Sequence, residues 1–362
     1  MKLAVDSKRR EGGIALVMVM VVILAFGVLA ASYAFSMKVE MRLAANTTRD
    51  PDMEWLGRSG LELARYVLAE KTRIPIEGRF DALSQMWAGG PLGTNEVLLA
   101  VSLTDVRLGD GLINVQIRDL ERKININLAD EPLLHRTMEV MGVDPFTGDV
   151  IVDSILDWMD PDWDPRLNGT DGEDYLVDPN PPFPVYLTKN GPIDDISELL
   201  LIRGIGPSLY YGLGGGGNPF PPDPLGPPGG NGGPTIANAG LVDLFTPIGG
   251  GRINVNTASE AVLSLIPGLD VNLAREIVQT RRGFDGVDGT EDDLPFVSVR
   301  DLGVVPGMAP ELIAILSRYC TTRSSTFEVE IETRLGDYTK TYLATVVRLG
   351  TRDILVLSFH PY

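Results

Sequence analysis

The residues best suited to chemistry are acidic side chains crowded into one stretch of the chain. Five aspartates fall between Asp153 and Asp164, and Asp171, Glu173 and Asp174 follow among glycines. Loops that alternate Asp with Gly and Pro can surround calcium, which takes about six to eight oxygen ligands. The spacing is not that of an EF-hand. The carboxylate density therefore predicts a calcium site, with a solvated acidic loop as the alternative.

A weaker acidic cluster follows about 120 residues later, in the same position of an internal repeat. It is a second candidate metal cluster and consists of Asp285, Asp288, Asp292 and Asp293.

Other chemistry is scarce. The histidines are His135 and His360, and neither stands near a nucleophile pattern; no P-loop, GxSxG or HExxH motif occurs. The single cysteine, Cys320, follows an apolar helical pattern typical of a buried thiol and excludes an internal disulfide. The sequence thus predicts a protein that is not an enzyme. Its formal net charge of −18 also argues against binding nucleic acid.

Both acidic clusters belong to a segment that repeats itself. The sequence ININLA beginning at Ile124 matches INVNTA beginning at Ile253, and glycine turns follow at corresponding positions after each copy. The turns near Gly204 and Gly268 resemble helix-hairpin-helix turns, which present backbone amides to phosphate in DNA-binding proteins. The alternative function is therefore a membrane-anchored DNA receptor of the competence type. The acidity of the chain favours a helical fold used for protein packing instead.

The elements that must position these residues begin with an apolar run. Residues 14–35 contain no charged side chain and, as a helix, would extend about 33 Å, enough to cross a hydrocarbon core. Four basic residues precede the run, which predicts a cytoplasmic N-terminus and a periplasmic bulk. Helical periodicity continues to about residue 72, with a break or kink expected near Asp50 and Pro51.

Alternating strand patterns flank the repeat segment. Residues 97–103 and 112–120 precede it, and residues 327–334, 338–347 and 354–359 follow it. The predicted fold class is α+β: a long N-terminal helix and an antiparallel sheet, an arrangement that resembles that of pilins, with a large all-α domain of helix-hairpin-helix-like repeats inserted between strands. Residues 212–234, rich in Gly and Pro, predict a mobile surface loop between the repeats.

The N-terminus resembles that of type IV prepilins, which carry a basic leader ending in glycine before a spanning helix. By this resemblance, prepilin peptidase would cut between Gly13 and Ile14, and the new N-terminus would be methylated. Major pilins carry Glu at the fifth mature position, where this chain has Met18. That carboxylate is thought to pair with the amino terminus of a neighbouring subunit, so its absence suits the end of a filament.

The residues DWMDPD and GTDGEDY, together with the leader, INVNTAS and the C-terminal strands, resemble the minor pseudopilin K family of the type II secretion system. The resemblance implies a calcium-binding inserted domain and a place at the pseudopilus tip, where assembly would be initiated. The implied ligands are Asp157, Asp160, Asp162, Glu173 and Asp174, with Asp164 and Asp171 as further candidates. The implied partners are minor pseudopilins I, J and H, the major pseudopilin, prepilin peptidase and the inner membrane, which a single helix would cross.

The predicted organisation follows from these patterns. It comprises a leader (1–13), a transmembrane helix (14–35), a pilin-like helix with first strands (36–123), an inserted helical domain (124–320) and C-terminal strands that complete the sheet (321–362). Within the inserted domain, the first repeat spans 124–211, the Gly/Pro loop 212–234 and the second repeat 241–320.

Overall fold

A single long helix opens the protein. The computed structural model describes residues 12–91, 98, 101–170, 186–212, 239–350 and 353–362. Helix α1 (Gly12–Lys71) is 60 residues long. From residue 16 to residue 43 its large apolar side chains are exposed, whereas Met53, Leu56, Ala64 and Leu68 are buried against the rest of the protein. The helix therefore has an exposed apolar half and a half that packs against the rest of the protein.

Helix α1 runs through Pro51 without interruption, so the predicted break near Asp50 is wrong, whereas the alternative, a kink at this position, stays a prediction. A proline inside a helix costs about 3 kcal/mol through its lost hydrogen bond and ring clash. Burial of Met53, Leu56 and the apolar residues after them stabilises the helix on one side of Pro51 by more than this, at about 1.5–3 kcal/mol for each large side chain. Tertiary packing thus overrides the local proline signal.

An antiparallel sheet packs against α1. Its five strands are arranged in the order β1-β2-β7-β8-β9, and each neighbouring pair is antiparallel. The strands are β1 (Val106–Leu108), β2 (Gly111–Asp119), β7 (Thr326–Leu335), β8 (Tyr338–Arg348) and β9 (Ile354–Pro361). The three C-terminal strands and the strand at 112–120 are confirmed. Residues 97, 99 and 100 lie outside the described residues and 101–103 are not in a strand, so the strand predicted at 97–103 is wrong over its last three residues.

Alternation of the strand residues explains how the helix is seated. Ile113, Val115 and Ile117 on β2 point to the same face and are buried, as are Val329 and Ile331 on β7. Glycines on α1 allow the helix to approach this face closely. A Cβ on Gly60 would lie 2.5 Å from Ile331 Cγ2, and one on Gly57 would lie 2.7 Å from the Tyr342 ring.

The inserted domain leaves and rejoins the sheet at one rung, that is, at one pair of opposite residues on neighbouring strands. The last residue of β2, Asp119, is paired with Phe327 at the start of β7. This confirms the predicted insertion, about 200 residues long, between adjacent strands. Its regular elements are β3 (Ile124–Asn125), α2 (Glu131–Val140), α3 (Pro145–Met159), α4 (Pro207–Tyr211), α5 (Leu241–Leu244), β4 (Phe245–Thr246), β5 (Ile253–Asn254), α6 (Glu260–Ser264), α7 (Val271–Arg281), α8 (Pro310–Tyr319) and β6 (Cys320–Thr321). Short 3₁₀ helices occur at Glu77–Arg79, Met86–Ala88, Leu120–Arg122, Ile126–Leu128, Ile196–Leu201 and Val299–Val304.

Each repeat is closed by a short parallel strand pair. β3 pairs with β4 in the first repeat, and β5 pairs with β6 in the second. Because β4 pairs with β3, residues 241–246 belong structurally with the first repeat, whereas the sequence analysis placed 241 at the start of the second. The predicted mobile loop falls on residues 212–234, of which 213–234 lie outside the described residues; along the chain they come between α4 and α5.

The repeated Asn-x-Asn sequence has a structural role in both copies. The Asn127 amide donates from Nδ2 to the Ile193 carbonyl and accepts from the Ile193 amide at Oδ1, both at 2.8 Å. Asn256 holds Phe296 in the same two-way manner, at 2.9 and 2.8 Å. Each asparagine therefore fixes a distant backbone segment beside its own repeat.

Candidate functional sites

The first acidic loop, residues 160–170, folds back on the C-terminal part of α3. Asp153 and Asp157 are spaced by four residues, which places them on one face of the helix, and Asp160 directly follows its last residue. Asp153 Oδ2 accepts hydrogen bonds from the backbone and side-chain amides of Asn168, at 3.1 and 3.0 Å. The Arg166 amide donates to both carboxylate oxygens of Asp157, at 3.2 Å each. The loop is therefore held by carboxylates that point back from the helix.

Asp157 is the most enclosed member of this group. Its side chain is fully buried, and a Cβ on Gly169 would lie only 1.8 Å from its Oδ2. The guanidinium of Arg166 approaches Asp157 Oδ1 to 3.5 Å and Asp160 Oδ2 to 4.0 Å. Only a residue without a side chain fits at 169, so the loop is shaped around a buried carboxylate.

Only some of the other predicted ligands belong to the residues that the structure describes. Asp162 and Asp164 are exposed, and Asp162 Oδ1 accepts from the Asp164 amide at 3.0 Å. Asp171, Glu173 and Asp174 lie outside the described residues. Within the described ranges, no group of three or more His, Cys, Asp or Glu side chains is arranged to hold a metal ion. The calcium site therefore stays a prediction.

The second acidic cluster is organised by its own loop and by arginines. Asp288 forms ion pairs with Arg281 and Arg282 at 3.0 and 2.8 Å. Burial alone would raise the pKa of Asp288, but the two guanidinium groups outweigh it and hold the pKa below its ordinary value. The structure gives the metal prediction for this cluster no support, since Asp288 is already neutralised.

The remaining carboxylates of the second cluster bind backbone amides. Asp292 Oδ2 accepts from the amides of Phe284 and Asp285, at 2.6 and 3.0 Å. Asp293 accepts from the Gly289 amide at 2.9 Å, and Asp285 accepts from the Val287 amide at 2.7 Å. These bonds hold the loop in its observed conformation.

The repeats contain glycine hairpins of the helix-hairpin-helix kind. The turn glycines have positive φ angles of 74°, 85°, 89° and 80°, at Gly142, Gly204, Gly268 and Gly307. The helix after the first turn is capped by Asp144, which accepts from the Thr147 amide at 3.0 Å. The helix after the third is capped by Asp270, which accepts from the Leu273 amide at 2.8 Å. A carboxylate on these amides competes with a phosphate, so the DNA-receptor alternative gains no support.

A buried polar cluster joins the inserted domain to the pilin-like part. Asp81 forms ion pairs with Lys71, the last residue of α1, and with Arg348 on β8. Burial alone would raise the pKa of Asp81, but the charges of Lys71 and Arg348 hold it below its ordinary value. All three side chains are almost completely buried. The cluster lies at the end of α1 opposite the exposed apolar half.

Asp119 carries the link to the second repeat. Its carboxylate accepts from Asn254 Nδ2 at 3.0 Å, Thr257 Oγ1 at 2.6 Å and Ser324 Oγ at 2.7 Å through Oδ2, and from the Glu121 amide at 2.8 Å through Oδ1. Burial raises the pKa of Asp119, an effect that these hydrogen bonds reduce. The sequence analysis missed this cluster. Its one signal was the repeated asparagine, since Asn254 is the first Asn of INVNTA.

The N-terminal helix supplies the membrane feature. Within the described residues, one helix is long and apolar enough to span a membrane, and its apolar window has no buried residue. The cleavage-site residues Gly13 and Ile14 lie at the start of α1, and their side chains are outside the described part. The fold and these sites thus define a pilin-like protein with an apolar N-terminal helix and an inserted helix-hairpin-helix domain.

Comparisons with known proteins agree with this class. Residues 112–214 match the family model for type II secretion system protein K, and residues 250–321 match a helix-hairpin-helix motif model. Type II secretion system protein K of Aeromonas hydrophila is 23% identical over 97% of both chains, and that of Pseudomonas aeruginosa is 24% identical over 97% of this chain and 93% of its own. The protein K of Klebsiella pneumoniae is 27% identical over 56% of this chain, which spans 61% of that relative.

A solved structure shares the fold. A chain of the GspK-GspI-GspJ complex from the enterotoxigenic Escherichia coli type 2 secretion system matches with a TM-score of 0.61 and 18% identity, over 88% of this chain and 99% of its own. The chain is thus similar to type II secretion system protein K over nearly its whole length, and its fold is that of the matched chain of the complex. Protein K is a structural pseudopilin of that secretion system and is not a known enzyme.

Proposed function

We propose that this protein caps the tip of a periplasmic pseudopilus, in a complex with minor pseudopilins I and J, and helps to initiate assembly for the export of folded proteins. The observation that carries the proposal is the position of the inserted domain. It emerges where β2 ends at Asp119, beside Lys71 at the far end of α1 from the apolar half. A domain at this end leaves no room for a pilin-like subunit to stack above it.

Two further features support the tip position. Met18 stands where major pilins have the glutamate that pairs with a neighbouring subunit. The solved structure that shares the fold is itself a complex of GspK with GspI and GspJ. We extend the same proposal to minor pseudopilin H and the major pseudopilin as partners further down the filament.

The test of the tip proposal is location. Pseudopili sheared from cells that carry a tag on this chain are examined by electron microscopy with a gold-labelled antibody. We expect label at one end of each filament and co-purification of minor pseudopilins I and J. A variant in which a short turn replaces residues 120–325 keeps the sheet strands but lacks the insert, and its label should lose the restriction to ends. Label along the walls with the intact chain would refute the proposal.

The proposal includes processing and orientation in the inner membrane. The exposed apolar half of α1 crosses the membrane once, with the N-terminus in the cytoplasm, and prepilin peptidase cuts between Gly13 and Ile14. We expect mass spectrometry to find a methylated chain that begins at Ile14. A Gly13→Leu variant should keep residue 1, and detection of residue 1 in the native chain would overturn the leader interpretation.

We also propose that the first acidic loop binds calcium. The support is a fully buried carboxylate, Asp157, on the same helix face as Asp153, with Asp160 directly after the helix and a loop that carries further acids. Oxygen donors of this kind suit calcium. Asp157, Asp160 and Asp162 would hold the ion together with Glu173 and Asp174. Calcium at about ten times its Kd would stabilise the folded protein by about 1.4 kcal/mol.

Thermal unfolding tests the calcium proposal. We expect EGTA to lower the Tm of the intact chain, and Asp160→Ala with Asp162→Ala to abolish that effect. The matched control is Asp285→Ala in the second acidic cluster, which should keep the full response. Equal Tm values with calcium and with EGTA would refute calcium binding.

A further inference from the structure

A cleft of about 270 Å³ lies beside the packed half of α1, at the end of the sheet nearest the membrane helix. We call it the Trp55 cleft. It is formed where the start of the packed half meets the β1–β2 turn and the end of β7. Its lining includes Asp52, Trp55, Leu56, Leu108, Asp110 and Leu335.

The Trp55 cleft combines apolar walls with negative charge. Trp55 is 69% exposed and Leu108 is 48% exposed, although both lie in regular elements of the pilin-like part. Asp52 and Asp110 are exposed at its rim. The face of an indole ring attracts a cation, and nearby carboxylates form ion pairs with that cation. Apolar walls accommodate the alkyl chain that carries it. These are the features that receive a Lys or Arg side chain.

The protein's own cations do not fill this role in the part of the chain that the structure describes. Lys340 binds Asp50 at 3.1 Å, and the Arg49 guanidinium lies over the Tyr338 ring at 4.3 Å. No ion pair forms at Asp52 or Asp110 among the described residues. Arg107 precedes Leu108 on β1, so strand alternation directs its side chain to the opposite face. Among the described residues no cation is placed to fill the cleft, which leaves it open to a cation of another molecule.

The height of the cleft excludes a lipid as that molecule. Asp52 lies 17 residues after Phe35, the last residue of the apolar run, on a continuous helix. At 1.5 Å per residue this separation is about 26 Å, whereas the headgroup region adds only about 5–8 Å to each side of the hydrocarbon core. The occupant is therefore a polypeptide in the periplasm.

We propose that the Trp55 cleft receives a Lys or Arg side chain of a neighbouring pseudopilin subunit. The inference rests on the proposed function, because the assembly brings another subunit to this height on α1. The alkyl stem would lie against Leu108 and Leu335, and the charged end would meet the Trp55 ring between Asp52 and Asp110. The contact would orient the neighbour around the helix.

Affinity measurements on the full chain in detergent provide the first test. The probe is the complex of minor pseudopilins I and J. Asp52→Asn with Asp110→Asn should weaken its Kd about tenfold, or about 1.4 kcal/mol, and should remove most of the loss of affinity on raising the salt concentration. Trp55→Ala should have a similar effect on affinity. The matched controls, Glu291→Gln and Phe284→Ala, alter an exposed acid and an almost fully exposed aromatic ring elsewhere.

Photo-crosslinking in intact cells provides a second test that does not presuppose pseudopilins I and J. A photoreactive phenylalanine at position 55 should give a crosslink to a Lys- or Arg-containing segment of a pseudopilin. A crosslink to lipid, to an unrelated protein or to nothing would overturn the inference, as would unchanged affinity in the Asp52/Asp110 variant. If the native chain fails to bind I and J but crosslinks to another pseudopilin, the proposed partners are wrong and the cleft inference stands.

Discussion

Removal of the Asp119 carboxylate should loosen the inserted domain from the pilin-like sheet. In Asp119→Ala the buried hydroxyls of Thr257 and Ser324 and the Glu121 amide lose their acceptor. Asn254 loses less, because its Nδ2 also donates to the Asp81 carbonyl and to Ser324 Oγ, at 3.0 and 2.8 Å. The loss of stability therefore comes mainly from three hydrogen-bond donors, which have no other acceptor of comparable geometry among the described residues.

The expected magnitude follows from these bonds. A hydrogen bond to a charged group contributes about 1.5–3 kcal/mol, so three lost bonds cost about 4.5 kcal/mol at the lower value. Removing a carboxylate whose pKa is raised by burial relieves part of this cost. A net loss of about 3 kcal/mol is typical of breaking a buried polar network. The opening of the junction should become about a hundredfold more frequent.

The single cysteine provides the assay. Cys320 is fully buried and is the first residue of β6. The second residue of this strand, Thr321, pairs with Asn254, which donates a hydrogen bond to Asp119. Burial raises the pKa of the Cys320 thiol to about 12, so the closed form should react very slowly with a thiol reagent at neutral pH. When opening and closing are fast, the labelling rate follows the population of the open form. We expect labelling of Asp119→Ala to be about a hundredfold faster than that of the native chain.

Two variants control this measurement. Asp119→Asn keeps an acceptor oxygen and should give an intermediate rate. Asp144→Ala removes a helix cap in the first repeat, far along the chain from Cys320, and should leave labelling within about threefold, since a cap is worth about 1 kcal/mol locally. Labelling of Asp119→Ala at the native rate, with equal rates for all variants in urea, would refute the role assigned to Asp119.

The remaining predictions concern acid stability and helix packing. Since the folded-state pKa of Asp81 is lowered, its stabilising contribution is present above the ordinary value near 3.8 and is lost as the pH falls through the folded-state pKa. The urea midpoint of the native chain, measured by pulse proteolysis, should therefore fall more steeply below pH 4 than that of Asp81→Asn; parallel curves would contradict this. Gly60→Ala should lower the free energy of unfolding by about 1–3 kcal/mol, and the urea midpoint with it, despite the better helix propensity, because the new Cβ would meet Ile331 at 2.5 Å. Its control, Gly148→Ala, meets only the side chain of Met138 at 3.3 Å and should change stability little; equal effects would contradict the close-packing explanation.

Local patterns predicted the pilin-like part well. Alternation in 327–334 and 338–347 marks strands whose buried residues are visible in the sequence, and the turn at Gly336 confirms the hairpin between them. The proline signal at Pro51 misled because a single local cost is small beside burial of the whole helix face. Strand β1 was missed because it is three residues long and gains its pairing only from β2.

The sites were harder to predict because their partners are distant in the chain. Asp288 looked like a metal ligand beside other acids, yet Arg281 and Arg282 neutralise it after the loop turns back. Asp81 and Arg348 are 267 residues apart, and no spacing rule connects them. The density of charge in a sequence does not reveal which charges meet in space.

The rung at which the insert joins the sheet also determines how the fold would respond to force. Both ends of the insert leave the same end of neighbouring antiparallel strands, Asp119 on β2 and Phe327 on β7. A pull on the insert would therefore peel β2 from β7 one hydrogen-bonded pair at a time, beginning at this rung, rather than shear the whole ladder at once. The ion pairs and hydrogen bonds of Asp81 and Asp119 lie at that starting point. These contacts would therefore have to break in the first step of mechanical unzipping.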